Sequence, residues 1–131
     1  MKNSKILKAY LILSGLLLTF IGGATLFMPV VMKASGGIDI ADSVNAINDV
    51  RAYSALLLAS ALLALFGVFN KGLTYTSTLV TVLVFLSLGA GRLLSILQDG
   101  MPADGLVKAT ILEFVLGTIG AILFSIYRTK K

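Results

Sequence analysis

Four long runs of apolar residues, separated by short polar stretches, dominate the chain. The first follows a basic start and continues without a charge from Ala9 to Met28. About 20 apolar residues in a helix, at a rise of about 1.5 Å each, cross a hydrocarbon layer about 30 Å thick. The pattern therefore predicts four membrane helices, at about residues 6–27, 50–69, 73–97 and 106–127.

The connection after the first helix is polar and contains a weak helical pattern. Pro29 falls where the first helix should end, because proline cannot continue a helix. Ile40, Val44 and Ile47 then recur at the spacing of one helix face. The segment 33–48 is therefore expected to form a short amphipathic helix at the membrane interface, or else an irregular loop whose apolar residues rest on the bundle.

Polar residues mark both ends of the second predicted helix. Asn48 is expected to cap this helix, with Asp49 in its first turn, whereas Arg51 opposes the helix dipole there and suggests a partner elsewhere. The tight turn at residues 70–72 makes the second and third helices antiparallel neighbours. These features predict a single all-α domain over residues 1–131, an integral membrane four-helix bundle with antiparallel up-down topology.

Small residues recur along the predicted helices and indicate close packing. Gly15, Thr19 and Gly23 lie at i, i+4 and i+8 of the first helix, so a neighbouring helix could approach that face closely. Gly89 and Gly117 would likewise let the third and fourth helices come close together.

The overall composition is typical of a membrane protein. The chain is 57% hydrophobic and 13% charged, with a mean hydropathy of +0.98, whereas soluble domains are about half apolar and about a quarter charged. It contains no Cys and no His, which excludes disulfides, thiolate nucleophiles, imidazole bases and the usual transition-metal ligands. No metal and no cofactor are expected. The tyrosines lie near predicted helix ends, where interface anchoring explains them: Tyr10, Tyr53, Tyr75 and Tyr127.

The distribution of charge predicts the orientation. The net charge is +5, but the basic residues lie between apolar runs instead of forming a stripe, so nucleic acid is not an expected partner. Four helices place both termini and the 70–72 turn on one side, which holds seven cations and no acid. By the positive-inside rule, both termini are expected in the cytoplasm. A cleaved signal peptide fits poorly, because the first uncharged run is too long and no cleavage site follows it directly.

Two charges interrupt the apolar runs, and both are expected toward the outer side. Arg92 lies in the third predicted helix and Glu113 in the fourth. A charge within a membrane-length segment is costly and marks a buried partner or a function. Helical side chains lean toward the N-terminus of their own helix. On antiparallel helices these two side chains therefore point toward each other, and we predict a direct contact.

Further polar residues extend this predicted cluster. Arg51 leans toward the mouth of the bundle, where Asp49 or Asp99 could meet it, and Ser95 shares a helix face with Arg92 and Asp99. The pair either only fixes helix register, or it lines a small outward-facing cavity that binds an anionic headgroup, a small solute or a proton. The candidate ligand-binding or structural ion cluster comprises Arg51, Arg92, Glu113, Asp49, Ser95 and Asp99.

An ordered set of short motifs resembles a known family. These are Asn48-Asp49-x-Arg51-Ala52, Gly91-Arg92-x-x-Ser95, Asp99-Gly100-x-Pro102 and Glu113. Together they resemble the small bacterial membrane proteins grouped as domain of unknown function 4345, and the similarity covers nearly the whole chain. The resemblance implies a four-helix, multi-pass protein of the bacterial cytoplasmic (inner) membrane without an assigned activity. The layout is also loosely similar to the DoxX-like four-helix membrane proteins, a likeness of fold that transfers no function.

Three functional hypotheses follow. The first is a non-enzymatic accessory or structural component, whose partners are membrane lipids and a larger membrane complex or further copies of the chain. The alternative is binding or transport of a small anionic solute, a lipid headgroup or a proton through the charged cluster. An enzyme is not expected, because neither paired carboxylates nor a nucleophile beside a base is evident. Catalysis would then depend on Glu113, Asp49, Asp99, Ser95 or Tyr53.

Overall fold

The computed structural model describes residues 1–128, so the predicted basic end at Lys130 and Lys131 lies outside the described residues. Within them the chain forms five helices and no strand. The helices are α1 (Lys5–Phe27), α2 (Pro29–Ser35), α3 (Val44–Phe69), α4 (Lys71–Asp99) and α5 (Asp104–Tyr127). All except α2 are long and apolar enough to cross a membrane. The prediction of an all-α bundle with four membrane-length helices is therefore confirmed.

The four long helices alternate in direction. Asn70 alone separates α3 from α4, which forces the chain to reverse there. The backbone nitrogen of Lys2 donates to the carbonyl oxygen of Tyr127 at 2.8 Å. The start of the chain and the end of α5 therefore meet at one end of the bundle. We name residues 1–16, 60–82 and 116–128 the terminal half, and residues 17–59 and 83–115 the distal half.

Side-chain caps fix where the helices begin. The Ser4 hydroxyl accepts from Leu7 N at 3.3 Å, and the Ser43 hydroxyl accepts from Ala46 N at 3.0 Å. The cap at Ser43 corrects the prediction for the second long helix, which begins at Val44 instead of near residue 50. A capping hydroxyl satisfies backbone donors at the start of a helix regardless of where the apolar run begins. The first turns of α3 can therefore be polar.

The first connection contains a short helix, but not at the predicted place. Met28 leaves the helical conformation (φ −132°, ψ 61°), and Pro29 then occupies the first position of α2, where its missing N–H costs nothing. Ile40 is buried in the non-helical segment between α2 and α3, while Val44 is 81% exposed and Ile47 is half-buried. These three residues therefore share no amphipathic helix face, and the prediction of an amphipathic helix through them is wrong.

Glycines bring α1 and α3 into close contact over most of their length. A Cβ atom on Gly22 would lie 2.8 Å from the backbone nitrogen of Leu58, and one on Gly15 would overlap a leucine side chain of α3. Gly23 faces open space, and the Thr19 hydroxyl donates to Gly15 O within its own helix. The packed face therefore includes Gly15 and Gly22, two helical turns apart, and the predicted stripe is wrong at Gly23.

The terminal half is held together by both apolar packing and polar links. Leu7, Tyr10 and Leu11 of α1 form a buried cluster with Ala64 and Leu123. Tyr10 is 5% exposed, and its hydroxyl donates to the Leu116 carbonyl of α5 at 2.9 Å. Interface anchoring is therefore the wrong account of this tyrosine, because burial obliges its hydroxyl to find a partner inside the bundle.

Glycines also allow close contact between the α2 turn and α5 at the end of the distal half. Gly37 has φ +90°, and a Cβ atom there would approach the Ala103 side chain at 2.8 Å. A Cβ atom on Gly105, in the first turn of α5, would lie 3.4 Å from the Cα of Gly36. The turn after α2 therefore packs directly on the start of α5, and this contact fixes α2 across the end of the bundle.

Candidate functional site

Two charged side chains meet between α4 and α5 in the distal half. Arg92 Nε donates to Glu113 Oε1 at 2.9 Å, and the two side chains are 25% and 10% exposed. Each side chain leans toward the N-terminus of its own helix. Because α4 and α5 run in opposite directions, these leanings bring the guanidinium and the carboxylate together.

Close packing of α4 and α5 supports this contact. A Cβ atom on Gly89 would come within 3.1 Å of the Phe114 ring. One on Gly117 would come within 2.5 Å of the Leu86 side chain. Each glycine thus gives room to a large side chain of the facing helix, as small residues do where helices approach closely. The separation of the two backbones is therefore short enough for one direct hydrogen bond.

A cavity of about 180 Å³ lies beside the charged pair. All five helices contribute to its lining. Most of its walls are apolar, with side chains that include Leu17, Ile21, Leu57, Phe85, Leu106 and Leu112. Space for the cavity remains because α1 packs extensively along α3 but only lightly on α4 and α5. An interhelical space of this kind is a usual place for a binding site in a helical bundle.

The polar end of the cavity contains a lysine that the sequence did not single out. Lys33 of α2, Tyr53 of α3, Arg92 and Glu113 line the cavity together. The Lys33 Nζ atom lies 5.2 Å from the centroid of the Tyr53 ring, a cation–π distance. Partial burial, reinforced by the nearby Arg92 and opposed by Glu113, lowers the pKa of Lys33 from its ordinary value of 10.5.

Only the break at Pro29 could have indicated Lys33 in advance. A proline that ends a membrane helix and starts a new one lets the chain turn back over the end of the bundle. Lys33 lies one turn into that second helix. Its inward position then depends on the contact between the α2 turn and the start of α5, which no local pattern specifies.

The cationic groups at this end retain unused hydrogen-bond donors. Within residues 1–128, the Arg92 side chain makes one hydrogen bond, through Nε, and the Lys33 ammonium makes none. Neither residue has a fully buried side-chain nitrogen without a partner among the described residues. These donors are therefore reachable from the cavity or the surface, and a guanidinium with free donors suits a carboxylate or phosphate.

Arg51 lies apart from this cluster. Its Nη1 atom donates to the Leu26 carbonyl oxygen at 2.8 Å, one of the carbonyls left without a helical partner at the end of α1. The predicted contact with Asp49 or Asp99 is wrong, because the single salt bridge within residues 1–128 joins Arg92 and Glu113. Arg51 also lies beyond the first turn of α3, so it does not oppose the helix dipole as predicted.

The remaining predicted site residues lie on the surface. Ser95 donates to Asp99 Oδ2 at 3.2 Å in the last turns of α4, and both residues are exposed. Asp49 is exposed in α3. None of the three lines the cavity. The structure therefore brings together Arg92 and Glu113 of the predicted set and joins them with Lys33 and Tyr53 instead.

The polar end of the cavity combines charged side chains with one aromatic hydroxyl. Its residues are two cations, one carboxylate and one phenol, with no second carboxylate beside Glu113. No group of three or more potential metal-ligating side chains occurs in the described part of the chain. The arrangement can hold one negative charge near Lys33 and Arg92 and an apolar group against the leucine-rich walls.

Comparison with known proteins identifies a family match. A family model described as "Domain of unknown function (DUF4345)" matches residues 6–124, nearly the whole chain. No curated protein and no solved structure matches the chain. The looser likeness to the DoxX-like proteins is not confirmed.

Proposed function

The chain belongs to the family described as domain of unknown function DUF4345, and from its geometry we propose a non-enzymatic membrane protein that binds a small amphipathic anion in the distal cavity. The observation that carries the proposal is the cavity of about 180 Å³, apolar along its walls and bordered at one end by Lys33, Arg92 and Glu113. These three side chains carry a net charge of one positive unit when all are ionised, which matches a ligand with one anionic group.

Binding fits this bundle better than transport through it. Beneath the cavity, Leu18, Leu57, Ala61, Phe85 and Leu116 form a buried cluster across the middle of the bundle. The buried hydroxyls Thr78 and Thr81 donate to carbonyls of their own helix. These two hydroxyls therefore do not donate across the bundle.

The proposed orientation places the cavity on the outer side of a bacterial inner membrane, with both termini in the cytoplasm. The basic residues of the terminal half support it. Because the chain contains no cysteine, single cysteines at Asp39 and Asn70 would report sidedness without background. We expect an impermeant thiol reagent outside the cell to label Asp39→Cys and not Asn70→Cys, and the reverse pattern would contradict the orientation.

The binding test compares two alanines of α5 that are both half-buried. Ala109 lines the distal cavity, and Ala121 lines a shallow surface groove of the terminal half. Binding of a long-chain fatty acid and of the corresponding uncharged alcohol would be measured by native mass spectrometry in mild detergent. We expect the acid to bind more tightly than the alcohol, and Ala109→Leu to weaken acid binding at least tenfold while Ala121→Leu does not.

Equal binding of acid and alcohol, or equal loss in both leucine variants, would contradict a charge-selective site in the cavity. A second cavity variant, Lys33→Gln, tests the polar end separately. It is expected to weaken binding of the acid about tenfold and to leave binding of the alcohol unchanged, because it removes a charge without filling space.

An accessory or structural role in a larger membrane complex, or in a homo-oligomer, is the second candidate. One observation favours it: small side chains line the α4–α5 surface groove, and such residues allow close helix approach. They are Thr118, Ala121 and Ser125. Cross-linking in native membranes followed by mild extraction tests this role. Recovery of the free monomer alone would contradict it, as would cross-linking that Ala121→Leu leaves unaltered.

A further inference from the structure

A second space, open to the surface, adjoins the cavity. It is a groove of about 320 Å³ lined by Lys33, Tyr53, Ser87, Leu88, Gly91 and Arg92. These residues come from α2, α3 and α4, so the groove lies on the α3–α4 face of the bundle. Ser87 and Gly91 occur only in the groove lining, and both are exposed.

The groove and the cavity share one wall. Lys33, Tyr53, Leu88 and Arg92 line both spaces. The interior cavity and the surface groove are therefore adjacent across these four residues. Three of these four residues provide the free ammonium, the ring beneath it and the guanidinium with unused donors. An anionic group in the groove and one in the cavity would thus meet the same cations.

The groove lies at a depth that lipid reaches. The 29 residues of α4 extend about 44 Å, which exceeds a hydrocarbon layer of about 30 Å. Gly91 is about 12 Å from the distal end of α4 by the same rise per residue. With the helix centred in the bilayer, this residue lies a few ångströms inside the hydrocarbon boundary, beside the first part of the acyl chains and close to the headgroups.

Size limits what the cavity can take. Its volume of about 180 Å³ is below the roughly 300–1,000 Å³ of ordinary small-molecule pockets. It can hold part of one acyl chain but not a whole lipid with two chains and a headgroup. The remainder of a larger molecule would have to stay outside, and the groove is the adjoining space.

We propose, resting on the binding function above, that the occupant is an anionic lipid of the surrounding bilayer that enters sideways between α3 and α4. Its anionic group lies at the shared wall between Lys33 and Arg92. One acyl chain passes that wall into the leucine-lined cavity, and the rest of the lipid stays in the groove. The Lys33 side chain, lying over the Tyr53 ring at 5.2 Å, must move aside for the chain to pass.

Substitution of two glycines, one inside the groove and one outside it, tests this route of entry. A Cβ atom on Gly91 or on Gly23 meets nothing within 4 Å, so a larger residue fits the fold at either position. Gly91 lies in the groove, while Gly23 of α1 lines neither space. Gly91→Leu would therefore obstruct the groove, and Gly23→Leu would add the same side chain elsewhere. Ser87→Leu provides a second obstruction on the same helix face.

The test measures loading from the membrane. Protein reconstituted in phosphatidylcholine vesicles is mixed with donor vesicles of deuterated phosphatidylglycerol, and bound labelled lipid is followed over time by native mass spectrometry. We expect Gly91→Leu and Ser87→Leu to slow loading at least tenfold, while Gly23→Leu loads at the wild-type rate. Labelled phosphatidylcholine, the zwitterionic comparison, is expected to bind at least tenfold more weakly than phosphatidylglycerol.

The outcomes separate the two proposals. Wild-type loading rates in both groove variants would overturn lateral access while leaving the binding function intact. Binding of aqueous hexanoate without binding of phosphatidylglycerol would also overturn this inference, because the occupant would then be a soluble anion. If neither phosphatidylglycerol nor the long-chain fatty acid binds to the wild-type protein, both the lipid route and the proposed function are wrong.

Discussion

The two halves of the bundle are built from the same helices but packed by different means. In the terminal half, Tyr10 hydrogen-bonds across to Leu116, and a Cβ atom on Gly120 would overlap the Tyr10 hydroxyl. In the distal half the helices separate around a cavity of about 180 Å³, and one charge pair joins α4 to α5. An added carbon has no room at Gly120 of the terminal half or at Gly22 of the distal half, but the distal half also contains the unfilled cavity.

The difference shows how a small bundle can keep both stability and an internal space. A membrane protein gains little from burying apolar side chains against each other, because lipid is equally apolar. Close backbone approach and polar links must then hold the helices, and the terminal half supplies both. The distal half can remain partly open because its helices continue from that packed region.

The largest effect is expected from breaking the charge pair. Arg92→Met leaves the Glu113 carboxylate, 10% exposed, without its cation and should lower the free energy of unfolding by roughly 3 kcal/mol, at the low end for buried pairs. The exchange Arg92→Glu with Glu113→Arg should recover more than half of that loss. Unfolding by SDS titration of detergent-solubilised protein measures both. A double variant no more stable than the worse single variant would contradict direct pairing.

The next effect compares a buried glycine of the terminal half, Gly120, with an exposed glycine of the distal half, Gly91. Gly120→Ala places a methyl group against Tyr10 and Val82, and overpacking of this kind costs about 2 kcal/mol. Gly91→Ala in the distal half meets nothing within 4 Å and should gain up to about 1 kcal/mol from helix propensity. Thermal unfolding in the same detergent gives the comparison. Equal behaviour of the two variants would contradict tight packing of α5 at Gly120.

A smaller effect is expected from the hydroxyl of Tyr10. Tyr10→Phe removes the hydrogen bond to the Leu116 carbonyl and should cost about 1 kcal/mol of unfolding free energy. Tyr75→Phe is the control, because Tyr75 is 45% exposed and contacts Phe124 through its ring alone among the described residues. Equal melting temperatures for Tyr10→Phe and wild type would mean that this link does not stabilise the terminal half.

The smallest effect concerns pH at the distal end. The folded pKa of Lys33 lies below its unfolded value, so the unfolded chain binds more protons in that interval and stability rises with pH. The groups facing Lys33 are Arg92, Glu113 and Tyr53. In a Tyr53→Phe background, which removes the phenol titration, the protein should gain stability relative to Lys33→Met as pH rises from 7 toward about 10.5. A constant difference between the two proteins would contradict a desolvated Lys33.

The pairing of Arg92 with Glu113 could be predicted from the sequence, but the other residues of the site could not. Helix direction and side-chain lean are local consequences of chirality, so two charges on adjacent antiparallel helices can be matched in advance. Arg51 was misplaced because the start of α3 depends on the cap at Ser43, outside the apolar pattern. Lys33 was missed because its position depends on how α2 folds back after Pro29.

The sequence by itself determined the class of protein, the number of long helices and their alternating direction. Those features follow from hydrophobic length and turn chemistry, which are local and additive along the chain. The tertiary structure alone decided which helix faces meet and where space remains. Gly22, not Gly23, contacts α3, and α1 packs only lightly on α5, because packing depends on how several side chains fit together. The cavity and its polar end at Lys33 arise from that collective fit.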